Sequence, residues 1–130
     1  MHSANSLLLI AILLLAPGAV LGEEPTARIR LLVQNSPLAG FSHHAAPEVW
    51  CELSVGDLLE LAREHDNPHD ANAIGVLWRG HKLGYVPRRA NAALAWALDR
   101  GERLLARISR LAQHPNPARR IEFEVYVESR

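Results

Sequence analysis

Between Arg63 and Val76 the chain reads Arg-Glu-His-Asp-Asn-Pro-His-Asp-Ala-Asn-Ala-Ile-Gly-Val, and Leu83-Gly84-Tyr85-Val86-Pro87 follows a few residues later. No helix passes through that stretch. Pro68 biases Asn67 towards extended backbone, and the short side chains of Asp66, Asn67 and Asp70 accept hydrogen bonds from nearby backbone N–H groups. The spacing therefore predicts an ordered loop that presents polar groups, entered by a strand over Leu58–Arg63 and left by a strand over Ala73–Trp78. Arg79-Gly80 is a tight-turn pair, so Lys82–Val86 is expected to return as the second arm of a hairpin.

Arg28 to Gln34 alternate, which predicts a first strand with Ile29, Leu31 and Val33 on one face and Arg28, Arg30, Leu32 and Gln34 on the other. Leu38 to His44 are expected to form a second extended piece, and Val55-Gly56-Asp57 to turn the chain. Pro87 suits the start of a helix and Gly101 its end, bracketing an Ala-rich segment of about 13 residues. Ala90, Leu94, Ala97 and Leu98 fall on one face of that helix, with Ala92 and Trp96 opposite. Trp96 is thus expected either under a covering segment or at a partner surface. Arg103 to Ala112 are extended with a break near Arg110, and His114 to Arg120 form a Pro-rich turn. In the last strand Ile121, Phe123, Val125 and Val127 face inward, and Glu122, Glu124, Tyr126 and Glu128 outward. Short strands with one late helix predict a mainly β domain with one or two helices, built as a small, partly open barrel.

Met1 to Gly22 hold no Asp, Glu, Lys or Arg, Leu7 to Ala16 are an unbroken apolar run, and Pro17-Gly18 and small residues lead to Gly22. This is the pattern of a signal peptide, leaving residues 23–130 as a single domain that is exported to the periplasm or the cell exterior. An uncleaved N-terminal anchor is the alternative, although the run is about half of the ~20 residues that a membrane span requires. Basic and acidic residues balance at 14 each, so no global field draws in a polyanion and any nucleic-acid contact depends on a local patch. Cys51 is the one cysteine, which excludes an internal disulfide.

From Ala39 to Val127 the sequence resembles the HIRAN domain, a small β-rich module known as an accessory domain of DNA-remodelling, helicase-like ATPases. The loop motif and the later Leu-Gly-Tyr-Val-Pro carry the resemblance. It implies an OB-like barrel with a helix between strands, and single-stranded DNA or its free end as partner. By position it implies ring contacts at His43, His44 and His69, where the family carries tyrosine. It also implies Asp70 against the end of the strand, Tyr85 as a further ring or polar contact, and Arg88 on a phosphate. Histidine keeps a smaller stacking face than tyrosine and titrates close to neutral pH, so binding is expected to be weaker and pH sensitive. Arg63 and Asn67 complete the candidate set. Arg63 could instead pair with Glu64 or Asp66, and Asn67 and Asp70 could serve only as loop caps.

A different reading takes His43, His65, His69 and Asp70 as a zinc or copper site, since imidazole and carboxylate suit those metals. No strong ligand spacing supports it, so no cofactor is expected. No phosphate-cradling Gly-rich loop and no Gly-X-Ser-X-Gly is present, and Cys51 stands in no recognisable catalytic pairing. The expectation is a non-enzymatic nucleic-acid-binding module. The alternative is an exported interaction domain of the same fold that no longer binds DNA.

Overall fold

The last strand sits at the centre of the hydrophobic core. In the computed structural model, which describes residues 30–128, Ile121, Phe123 and Val125 of β6 (Ile121–Glu128) are buried, and Glu122, Glu124 and Tyr126 are only partly covered. This is the inward–outward alternation read from the sequence as far as Tyr126; Val127, expected inward, is only half-buried at the strand's end. β6 pairs antiparallel with β1 (Arg30–Pro37) on one side and with β5 (Leu104–Leu111) on the other. β5 continues to β2 (Leu58–Arg63), β3 (Ile74–Trp78) and β4 (His81–Tyr85), giving the order β1-β6-β5-β2-β3-β4. The expected leader over residues 1–22, and Arg28 and Ile29 of the expected first strand, lie outside the described residues.

The sheet is antiparallel throughout and curls around one core, in which Leu38, Ile74, Val76, Leu83 and Ile108 meet the inner face of β6. No ladder joins the two edge strands. They are linked instead by a single bridge, because the chain leaving β1 crosses over and Ala39 exchanges both backbone hydrogen bonds with Tyr85 of β4, each 2.9 Å. The barrel is therefore open, its edges fastened by this bridge and by Ala45 N–H, which donates to the Lys82 carbonyl of β4 at 2.9 Å. Gly84 is what permits the crossing: a Cβ there would lie 2.2 Å from the Ala39 carbonyl oxygen. That contact is the physical reason for the glycine in the Leu-Gly-Tyr-Val-Pro sequence.

The helix, α2 (Arg88–Asp99), follows Pro87 and ends in a Schellman motif: Glu102 N–H reaches the Ala97 carbonyl and Gly101 N–H the Leu98 carbonyl, with Gly101 at φ 83°. Its inner face carries Asn91, Leu94, Ala95 and Ala97. Trp96 is 65% exposed, and the Arg100 guanidinium lies 4.2 Å above its ring. The break expected near Arg110 is a register shift between Ile108 and Arg110.

Two expectations are corrected. Leu31 and Val33 do not form a buried face of β1; Leu31, Leu32 and Val33 are all exposed, and the strand's one buried residue is Ser36. Leu31 keeps its register opposite Val127, itself only half-buried, so the inner face is thinly covered at this end of an edge strand, and a register shift between Leu32 and Gln34 then moves Val33 out of the two-residue period. Leu38 to His44 are not extended throughout. After Ala39 the backbone turns at Gly40 (φ 78°) into a 3-10 turn over Phe41–His43, then into α1 (Ala46–Val49) and a second 3-10 turn over Trp50–Glu52. Pro47, within the first turn of α1, is a helix-start signal of the kind recognised at Pro87.

Candidate nucleic-acid interface

The loop between β2 and β3 is held by its own side chains. Asn67 Oδ1 accepts from the N–H groups of His69 (2.9 Å) and Asp70 (3.2 Å), passing over Pro68, which has no N–H to offer. Asp70 Oδ1 accepts in turn from Asn72 N–H at 2.9 Å. These are the local caps the sequence predicts, and they fix the direction in which His69 and Asp70 point.

Three long-range ties then fasten the loop to the sheet and the helix. Glu64 accepts from Tyr85 Oη at 2.9 Å, from Asn67 Nδ2 at 3.1 Å, and from the Lys82 ammonium group. Burial alone would raise the Glu64 carboxyl. The hydrogen bonds from Lys82, Tyr85 and Asn67 outweigh it and hold that carboxyl below its ordinary range, while the same contact raises Lys82. Arg63 forms the second tie, donating to Asp99 (3.0 and 3.2 Å) and to the carbonyls of Ala73 (2.9 Å) and Ala71 (3.1 Å). Asn91 forms the third. It is 2% exposed on the inner face of α2, and its Nδ2 donates to Asp70 Oδ2 at 2.7 Å. The Asn72 N–H first, and then Asn91 and Arg88, hold the Asp70 carboxyl below its usual value against the opposing effect of burial.

Together these contacts shape a groove of about 400 Å³, lined by Ala39, His44, Asn67, His69, Asp70, Ala73, Tyr85, Val86 and Arg88. His44 and Tyr85 meet edge to face, with ring centroids 5.2 Å apart. Burial first, then the charges of Lys82 and His43, lower the pKa of His44, which favours its uncharged form. Arg88 reaches across the mouth. Its side chain is 71% exposed, its Nε lies 3.7 Å from Asp70 Oδ2, and it donates to the His69 carbonyl. One groove thus carries flat rings, an oriented carboxylate acceptor and an accessible guanidinium.

Of the eight residues selected from sequence, six line this groove: His44, Asn67, His69, Asp70, Tyr85 and Arg88. His43 is exposed but outside the lining, and Arg63 is spent on the loop tie, its side chain 10% exposed. The partner of Arg63 is Asp99, not Glu64 or Asp66. The set His43, His65, His69 and Asp70 is not assembled: among the described residues no three potential metal ligands come together, and His65 Nε2 instead lies 2.8 Å from Asp99 Oδ1. Sequence reasoning missed Asn91 and the Glu64–Lys82 pair. Asn91 had a signal, because it falls on the same helical face as Leu94, Ala95 and Leu98, where a polar residue needs a partner. A separate groove lined by Trp50, Gln113, His114, Pro115 and Arg120 contains none of the selected residues.

The HIRAN domain family matches residues 31–130. Among solved structures, a Lactobacillus plantarum protein determined by a structural genomics consortium aligns with a TM-score of 0.70 at 26% identity, covering 80% of this chain and all of that one. The HIRAN domain of human HLTF aligns with a TM-score of 0.56 at 16% identity, covering 76% of this chain and 77% of that one, a likeness of fold. No curated protein matches the sequence.

Proposed function

The chain belongs to the HIRAN domain family, a family of nucleic-acid-binding modules, and from that premise we propose that it binds single-stranded DNA by a free end in the groove between the β2–β3 loop, β4 and the start of α2. The observation that carries this reading is the pairing of Asp70 with Arg88 at one groove mouth lined by His44, His69 and Tyr85. A carboxylate repels an internal phosphate but accepts a hydrogen bond from a terminal hydroxyl, whereas the exposed guanidinium attracts the adjacent phosphate. Stacking on the rings supplies sequence-tolerant affinity. The reading includes no catalytic step and no metal or other cofactor. It places the domain in the periplasm or outside the cell, on the leader pattern of residues 1–22, so the strand it meets is exported or imported DNA. N-terminal sequencing of protein from its native host should begin near Glu23.

The binding test is a low-salt titration with short labelled single strands. Arg88→Ala should weaken binding at every sequence and lower the slope of log affinity against log salt by about 0.7, one single-strand phosphate. His69→Tyr should strengthen it, by no more than about tenfold. Asp70→Asn should erase the preference for a terminal hydroxyl over a terminal phosphate or a circular strand. If all three variants bind as the wild type does, the loop is architecture and the reading is wrong. A second reading, an exported interaction domain of the same fold, draws on the 65% exposure of Trp96. It predicts no strand binding and a protein partner whose affinity falls with Trp96→Ala.

A further inference from the structure

Next to the loop groove lies a second one, of about 370 Å³, whose lining includes Pro37, Ala39, Pro87, Arg89, Arg119 and Glu122. The two share Ala39, and the chain from Val86 to Arg89 divides them, Val86 and Arg88 lining the first and Pro87 and Arg89 the second. We propose that a strand seated by its end in the loop groove continues across Ala39 and Pro87 into this second groove, where Arg89 and Arg119 hold its phosphates. The inference rests on the end-binding reading and extends it to a site several nucleotides long.

Three observations support the track. Arg89 and Arg119 are both exposed, and among the described residues neither makes an ion pair or a side-chain hydrogen bond; Arg79, Arg103, Arg107 and Arg110 lack such contacts too but line neither groove. Each is also delivered by a formed element: Arg89 by the first turn of α2, and Arg119 by the 3-10 turn Pro117–Arg119, whose start Asn116 caps by accepting from Ala118 N–H at 3.0 Å. Finally, the chain's overall charge is zero, so two guanidinium groups against the one Glu122 carboxylate leave a local positive excess that a polyanion can use. Glu122 works against the phosphates and tempers the affinity. Guanidinium groups with no intramolecular partner can turn towards a phosphate without breaking a contact of the fold.

The experiment compares a dinucleotide with an octanucleotide, both single-stranded and ending in a hydroxyl, by fluorescence anisotropy across a salt series. Wild-type protein should bind the octanucleotide roughly tenfold or more tightly than the dinucleotide, because a barrel of this size accommodates several nucleotides. The double variant Arg89→Ala/Arg119→Ala should lose that advantage, lower the octanucleotide's salt slope by about 1.4, and leave dinucleotide binding unchanged. Glu122→Gln should strengthen octanucleotide binding alone. If the double variant leaves both affinities intact while Arg88→Ala lowers both, the track is refuted and the end groove stands. Equal losses for both lengths also refute the track, and failure of the wild type to bind either strand overturns both readings.

Discussion

The β5–β6 hairpin and the β2–β3 loop are built on opposite principles. The hairpin is held by a ladder and by side chains in bulk apolar contact, with Phe123 and Val125 fully buried and Ile108 nearly so. The loop buries little apolar surface and is held by directed contacts from Asn67, Asp70, Glu64, Arg63 and Asn91. Apolar packing is redundant and tolerates volume-conserving changes, whereas a directed hydrogen bond has one geometry and one partner. Damage to the hairpin should therefore register as lost stability, and damage to the loop as lost shape.

The strongest test of that contrast is Phe123→Ala, which should cost about 3–5 kcal/mol in urea denaturation through the cavity it leaves. Strand affinity per folded molecule should stay near the wild-type value. Gly84→Ala comes next and should break the division. Its Cβ strikes the Ala39 backbone, so the seam must shift; overpacking of this kind costs about 1–3 kcal/mol, and groove binding should fall with it because Ala39 and Tyr85 line the groove. Unchanged stability in a melt would show that the seam is slack. Asn91→Leu should cost only about 1 kcal/mol, since a leucine suits the apolar helix face, yet it frees Asp70 and should blur end discrimination.

The smallest effect is in pH. Glu64 has a depressed carboxyl in the folded state, so its stabilising contribution is complete above the ordinary carboxylate range and is lost as pH falls through the depressed value. Glu64→Gln should melt a few degrees below wild type near neutral pH, and that gap should close in acid as the wild-type carboxyl is protonated. The deficit of Phe123→Ala should be independent of pH over the same range. A gap for Glu64→Gln that widens in acid would mean that the Lys82 contact stabilises nothing.

The same contrast explains what could be read from the sequence. β2 to β6 and α2 follow from periodicity and turn residues, and the Asn67 and Asp70 caps from spacing of two or three residues, because each is a local pattern. The ties that shape the groove join residues distant in sequence, such as Arg63 with Asp99 and Glu64 with Lys82, and no local pattern records them. Arg63 was readable as a cation near the loop, but whether it faced a ligand or its own fold depended on where the end of α2 would lie. β1 misled for another reason: its first residues lie at a thinly covered end of an edge strand, and a one-residue slip after Leu32 exchanges the inward and outward positions beyond it.

The bridge between Ala39 and Tyr85 also bears on how the molecule moves. Its partners are far apart along the chain and are joined by only two backbone hydrogen bonds, so it gains little help from neighbours and its closure follows the ladders that position it. Opening that bridge together with the neighbouring hydrogen bond from Ala45 N–H to the Lys82 carbonyl would part the edges of the sheet and unroof the groove while leaving β5 and β6 paired. In native-state hydrogen exchange the amides of Ala39 and Tyr85 should therefore exchange through a sub-global opening of lower free energy than those of Phe123 and Val125. If a strand lies over the seam as proposed, it binds only the closed form, and saturating ligand should slow exchange at these two amides more than anywhere in the hairpin.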